Sequence, residues 1–153
     1  MIAVVQRVLS SSVEVNGKIV NKISNGLLIF LGVKKGDDKS NAEYLAKKAV
    51  NLRIFSDENE KMNLSVKDIN GEILVISQFT LYGDAQKGNR PSFTDAARPE
   101  IAIPLYEMFI TRMKNILGDN KVKSGIFGSM MEVKIINDGP VTILIESKNQ
   151  EKN

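Results

Sequence analysis

The stretch "GLLIFLGV", residues 26–33, sets six large apolar side chains in eight positions with no polar residue between them. A strand with one wet face alternates apolar and polar residues. An unbroken run of this length reads instead as a strand buried on both faces. The chain must therefore cover that strand from two sides. Its 153 residues suffice for one such domain, and two would not fit comfortably.

Strand and helix patterns are interspersed along the rest of the chain. "IAVVQRV" reads as the first strand, and "SVEVNGKIV" sets Asn16-Gly17 between alternating apolar residues, which signals a type I′ hairpin. "SNAEYLAKKAVNLRIF" is helical, with Ser40 and Glu43 matching a capping box and Ala42, Leu45, Ala49 and Leu52 recurring at three and four residues. "EILVISQFTLYG", 72–83, reads as one long strand. A second helix lies within "EIAIPLYEMFITRMKNIL", with Pro104 expected in its first turn and Gly118 as its stop. "KVKSGIF", "MEVKII" and "VTILIES" are three closing strands. Gly139-Pro140 parts the last two and suits a hairpin or a corner between strands. About seven strands with two helices among them make a single α+β domain over residues 1–148. Its sheets are expected to be mostly antiparallel and curled toward a barrel, with 149–153 a frayed tail.

Two absences bound the chemistry. There is no cysteine and no histidine. Disulfides, thiolate nucleophiles and thiolate metal sites are excluded, as are Ser-His and Cys-His arrangements and the usual proton acceptor near neutral pH. Neither a metal nor a cofactor is expected, since zinc would have to rest on carboxylates alone. An enzyme built from this alphabet must use hydroxyls, amides, carboxylates, lysines or the backbone. The net charge of +3 is compatible with a nucleic-acid partner without indicating one. No apolar run approaches the length of a membrane span, and no basic leader precedes an apolar segment. A cytoplasmic location without membrane contact is expected.

Three stretches stand apart from the core-forming runs. "SQFTL", 77–81, brings polar groups to the end of a very apolar strand, either as a site or as a strand turning toward water. "QKGNRPSF", 86–93, sets Lys87 and Arg90 around a Gly-Asn turn, either to reach phosphates or as a solvated loop. "NDGPVT" is either a rigid backbone device or a plain connection.

In this order and in a chain of this length, "SQFTL", "KGNRPSF" and "NDGPVT" resemble the D-aminoacyl-tRNA deacylase family. The resemblance extends through "VVQRV", "NGLLIFLGV" and "GIFGSMMEV". It implies a hydrolase that releases a D-amino acid, or glycine mischarged on tRNA-Ala, from the terminal ribose of tRNA. It also implies a homodimer with its active sites at the subunit interface. Ser77, Gln78, Phe79 and Thr80 match the catalytic motif. Gly139-Pro140 matches a Gly-cisPro motif contributed by the other subunit, with Arg7 bracing it. Phe127 and Met131 match positions near the terminal adenosine, and Lys87 and Arg90 are candidate RNA contacts. Ile2 and Met130 depart from a basic and a polar position in relatives, outside the motifs.

The motif also suggests how selection and chemistry work. A cis X-Pro bond costs roughly 0.5–1 kcal/mol over trans and can turn successive carbonyls toward a ligand. Such carbonyls would accept from the substrate's α-ammonium and wall off an L side chain, while a D side chain points to solvent. Thr80 is the obvious hydroxyl nucleophile, yet nothing in this composition is suited to deprotonate it. Water attack is favoured, with backbone N–H groups near Phe79 and Thr80 holding the oxyanion, Gln78 assisting and the RNA 2′-hydroxyl helping to move the proton. Two rivals stay open: a related deacylase of mischarged L-aminoacyl-tRNA, and a non-catalytic tRNA-binding module.

Overall fold

The apolar run becomes strand β3 (Gly26–Gly32) in a computed structural model that describes residues 1–148; the tail expected at 149–153 lies outside the described residues. Leu27, Leu28, Ile29 and Leu31 are all buried. Leu27, Ile29 and Leu31 face one cluster with Leu45 and Ala49 of helix α1 (Lys39–Asn51) and Phe109 and Met113 of helix α2 (Pro99–Leu117). Leu28 faces a smaller cluster with Val8, Val13, Ile23, Leu74 and Ile76. Both faces are covered, as the unbroken pattern requires.

β3 runs antiparallel to the first half of β1 (Ile2–Val15) and parallel to β6 (Glu72–Ser77), which runs parallel to β7 (Val122–Ser124). At Gly26 an added β-carbon would stand 1.8 Å from the Glu72 carbonyl oxygen, so glycine is required for this approach. The second half of β1 turns through Asn16-Gly17, with φ values of 51° and 75°, into β2 (Lys18–Ile23). The Asn21 Nδ2 donates to the Ser124 carbonyl at 2.6 Å, and the Lys123 Nζ to the Lys22 carbonyl at 3.0 Å. These contacts tie β2 to β7 and bring the mixed sheet of this single α+β domain nearly into a barrel. The smaller cluster fills its inside and the two helices lie outside.

Several boundaries differ from the sequence expectation. α1 starts one residue earlier, and its capping box is Asp38 with Asn41 in place of Ser40 with Glu43. The Ser40 N–H donates to Asp38 Oδ1 at 2.9 Å and the Asp38 N–H to Asn41 Oδ1 at 2.8 Å. α1 ends at Asn51, and the polar segment beyond it forms a small ribbon of β4 (Phe55–Ser56) and β5 (Met62–Leu64). α2 begins at Pro99, so Pro104 lies inside the helix and not in its first turn. It sits on the exposed side, where water can reach the carbonyl it leaves without a partner.

The expected strand 72–83 stops at Ser77, where its pairing with β3 ends, its pairing with β7 having ended at Val75, and Phe79–Tyr82 wind into one 3₁₀ turn. "KVKSGIF" keeps only Val122–Ser124 as strand. "MEVKII" and "VTILIES" are not two strands. They form one, β8 (Glu132–Glu146), which pairs with β1 along its length, and Gly139-Pro140 is no hairpin. Between the Gln6–Thr142 and Val8–Asn137 pairs β8 places four residues where β1 places Arg7 alone. The surplus swells outward as a bulge at Asp138–Val141.

Candidate active site

Leu31 and Ser77 face each other at the carboxyl ends of β3 and β6, and the chain departs from the sheet just beyond them. The Gln78 N–H still donates to the Leu31 carbonyl at 2.8 Å, anchoring the start of the 3₁₀ turn; the Gly83 N–H closes it on the Thr80 carbonyl at 2.9 Å. The first N–H groups of a helical turn have no partner within it. Those of Phe79 and Thr80 have none elsewhere among the described residues. The Gln78 Nε2 donates to Thr80 Oγ1 at 2.5 Å, which leaves the hydroxyl hydrogen free to point outward. Gly32 lies beneath, where a β-carbon would stand 3.2 Å from both the Gln78 carbonyl oxygen and the Leu81 β-carbon.

This turn borders a cavity of about 570 Å³. Phe30, Ile76, Tyr106, Phe127, Met131 and Val133 are among the residues of its apolar wall, while Ser77, Gln78, Thr80 and Ser129 supply hydroxyls and an amide. An apolar cleft with a few polar groups at one end suits a small ligand or one end of a larger one. Among the described residues Tyr106 is the sole ionisable one lining it. Its hydroxyl donates to the Val75 carbonyl at 3.2 Å, its ring meets Phe127 edge-on at 5.5 Å, and burial pushes the phenol up to about 12. At neutral pH no residue of this wall changes charge. The described residues contain no cluster of acidic side chains able to hold a metal ion.

Of the residues singled out by sequence, Ser77, Gln78, Phe79, Thr80, Phe127 and Met131 all line this one cavity. Arg7, Gly139 and Pro140 do not. They meet at the β8 bulge, where the Gly139–Pro140 peptide is cis and Gly139 has φ +125°. The Arg7 Nε donates to the Asp138 carbonyl at 3.1 Å, and Nη1 to the Ile54 carbonyl at 2.8 Å. A β-carbon on Gly139 would crowd Val141 Cγ2 at 2.9 Å and the Arg7 Nη2 at 3.2 Å. Lys87 and Arg90 are exposed on the loop that Asp84 and Ser92 close by reciprocal main-chain bonds of 2.8 Å, away from the cavity wall. Sequence reasoning missed Tyr106 and Phe30. Both sit in apolar runs that read as core, and only the hydroxyl of Tyr106 on a buried helix face hints at a polar neighbour.

Comparison with known proteins returns one family over nearly the whole chain. The model of the D-Tyr-tRNA(Tyr) deacylase family matches residues 4–146. The chain is similar to the D-aminoacyl-tRNA deacylase of Thermosipho africanus (strain TCF52B), with 58% identity over 97% of this chain and 98% of that one. It is 56% identical to the D-aminoacyl-tRNA deacylase of Flavobacterium psychrophilum, over 99% of this chain and all of that one. Among solved structures, the c-Myc DNA unwinding element binding protein superimposes with a TM-score of 0.92 and 41% identity, covering 97% of this chain and all of the other. A probable eukaryotic D-amino acid tRNA deacylase superimposes at TM-score 0.82 with 17% identity, over 95% of this chain and 98% of that one, a likeness of fold alone.

Proposed function

The chain belongs to the D-Tyr-tRNA(Tyr) deacylase family, ester hydrolases of D-aminoacyl-tRNA. On that premise we propose that its cavity receives the aminoacyl-adenosine end of the substrate while a second copy of the chain supplies the wall that rejects L-amino acids. One observation carries this reading. The turn Gln78–Thr80 offers two main-chain N–H groups that have no partner among the described residues, beside a cavity whose one ionisable wall residue there, Tyr106, stays neutral.

The chemistry follows from that inventory. The substrate ester is already activated, and water attacks its carbonyl carbon. The oxygen that gains charge is held by the N–H groups of Phe79 and Thr80, each such donor worth about 10²–10³ in rate. The Gln78 amide, which already donates to Thr80 Oγ1, orients the turn. Thr80 stays a hydrogen-bonding group, because no residue near it can take its proton. The adjacent 2′-hydroxyl of the RNA passes the proton to the departing 3′-oxygen, and free D-amino acid and tRNA result. Phe127 and Met131 receive the adenosine.

The wall comes from the partner. Gly139 and Pro140 are exposed, lie outside their own chain's cavity and are braced by Arg7. Among the described residues β8 pairs with β1 alone, and Ile135, Ile136 and Leu144 are exposed along it. A long, apolar strand edge of this kind calls for cover, and a second copy answers it. An L side chain collides with the partner's main-chain corner. A D side chain points away from it, and glycine, including glycine mischarged on tRNA-Ala, has nothing to collide.

Hydrolysis of D-tyrosyl-tRNA and L-tyrosyl-tRNA measured side by side tests the reading. The D ester is released and the L ester is spared. Preference for the L ester would identify a deacylase of mischarged L-aminoacyl-tRNA. Binding without release of either would identify a nucleic-acid-binding module, the role carried in the name of the c-Myc DNA unwinding element binding protein.

A further inference from the structure

The geometry points to a second nucleotide subsite just outside the cavity, where the ring of Phe93 stacks the base of the nucleotide that precedes the terminal adenosine. The inference rests on the reading of the cavity as the seat of that adenosine. Phe79 stands at the cavity wall and is 59% exposed. Phe93, outside the wall, meets it edge-to-face with ring centroids 5.2 Å apart and is itself 38% exposed. Two open phenyl rings beside a catalytic turn are costly to leave in water unless something flat covers them.

The Phe93 ring is held in place without being covered. Its Cε1 atom lies 2.8 Å from where a β-carbon on Gly83 would stand, so only glycine at 83 admits it. The chain reaches Phe93 directly from the loop closed by Asp84 and Ser92, which carries Lys87 and Arg90. Neither cation has an ion-pair or hydrogen-bond partner among the described residues. The loop's own carboxylate, on Asp84, accepts the Gln86 N–H at 2.9 Å and so is turned to its own backbone. An exposed aromatic ring with free cations on the adjoining loop is how sequence-tolerant single-strand sites are built: the ring takes a base and the cations take phosphates. The ring is one residue contact removed from the cavity, which matches the base one nucleotide removed from the terminal adenosine.

An uncharged RNA tetranucleotide ending in adenosine, with 2-aminopurine at the penultimate position, tests this directly. Stacking quenches its fluorescence without any turnover. D-tyrosyl-tRNA hydrolysis by the same preparations therefore reports separately on the reading beneath it. The unmodified protein and Phe93→Trp should quench the probe, and Phe93→Leu, which keeps an apolar contact with Gly83, should lose the quench and bind about tenfold more weakly. Phe93→Leu should hydrolyse D-tyrosyl-adenosine, which has no penultimate base, at the unmodified rate. Equal quench and affinity in Phe93→Leu, or no quench with any of the three, would overturn the subsite. So would an equal loss of D-tyrosyl-adenosine and D-tyrosyl-tRNA hydrolysis, which would make the ring a support for the turn.

Discussion

Arg7 reaches from β1 across to Asp138 of β8, its Nε 3.1 Å from the main-chain carbonyl and 3.2 Å from the carboxylate Oδ2. The same guanidinium holds the Ile54 carbonyl at 2.8 Å, so one side chain fixes the base of the Gly139–Pro140 bulge from two directions. A planar fork can do this where a lysine ammonium cannot. Arg7→Lys and Arg7→Ala are therefore expected to relax selectivity. Hydrolysis of L-tyrosyl-tRNA should rise at least tenfold while that of D-tyrosyl-tRNA changes by no more than a few-fold. A parallel fall in both rates would reduce Arg7 to a fold-stabilising residue.

Thr80 offers the sharpest view of the chemistry. Thr80→Val keeps the backbone N–H and removes the hydroxyl that accepts from Gln78. If the N–H groups hold the oxyanion and water attacks, the variant retains activity within about tenfold, and rapid quenching traps no acyl-enzyme. A loss of 10³ or more with a trapped ester on the unmodified protein would restore Thr80 as nucleophile.

The cavity wall also makes a statement about pH. Tyr106, held at about 12 by burial, stays neutral across the physiological range. Any inflection of log kcat/KM between pH 5 and 9 should belong to the substrate's α-ammonium and should persist unchanged in Tyr106→Phe. The raised phenol has a further consequence for stability. The folded state keeps this proton to higher pH than the unfolded chain does. Stability is therefore undiminished below the ordinary value of 10.0 and declines as pH climbs toward about 12. Urea melts at pH 9 and 11.5 should show a smaller decline for Tyr106→Phe than for the unmodified protein.

Met1 and Asp37 form the most buried ion pair among the described residues. The α-ammonium lies 2.7 Å from Asp37 Oδ1, with side chains 0% and 2% exposed, and also donates to the Ser147 hydroxyl at 2.7 Å. Asp37 Oδ2 takes the Lys34 N–H at 2.6 Å. Removing one member of such a pair leaves a buried charge without compensation, at a cost of about 3–5 kcal/mol. Asp37→Ala should lower the urea midpoint accordingly, and a change under 1 kcal/mol would contradict this.

The features legible in the sequence were those set by local pattern. β3 is an unbroken apolar run, Asn16-Gly17 needs positive φ, and α2 repeats its apolar face at helical spacing. "SQFT" stands out because polar residues close an apolar strand. What pattern could not reach depends on distant partners. The Gly139-Pro140 pair reads as a break because a ladder interrupted by proline usually is one. Here the long partner β1, and Arg7 on it, carry the pairing past the bulge. The strand does not run on through Gln78–Leu81 because its pairing ends opposite Ser77 on the β3 side and Val75 on the β7 side, a length that no residue of 78–81 encodes. Tyr106 reads as core from its neighbours, and only the cavity gives its ring a second face.

The most direct measurement of the partner-supplied wall mixes two variants. Gln78→Ala spoils its own turn but keeps the wall; Pro140→Ala keeps the turn and spoils the wall, and alone should hydrolyse both D- and L-tyrosyl-tRNA. Re-associating Pro140→Ala with an excess of Gln78→Ala should suppress L-tyrosyl-tRNA hydrolysis while D-tyrosyl-tRNA hydrolysis continues, because each intact turn then faces an intact wall. Undiminished L-tyrosyl-tRNA hydrolysis in the mixture, with exchange of subunits verified, would place the wall in the same chain as the turn and contradict the account.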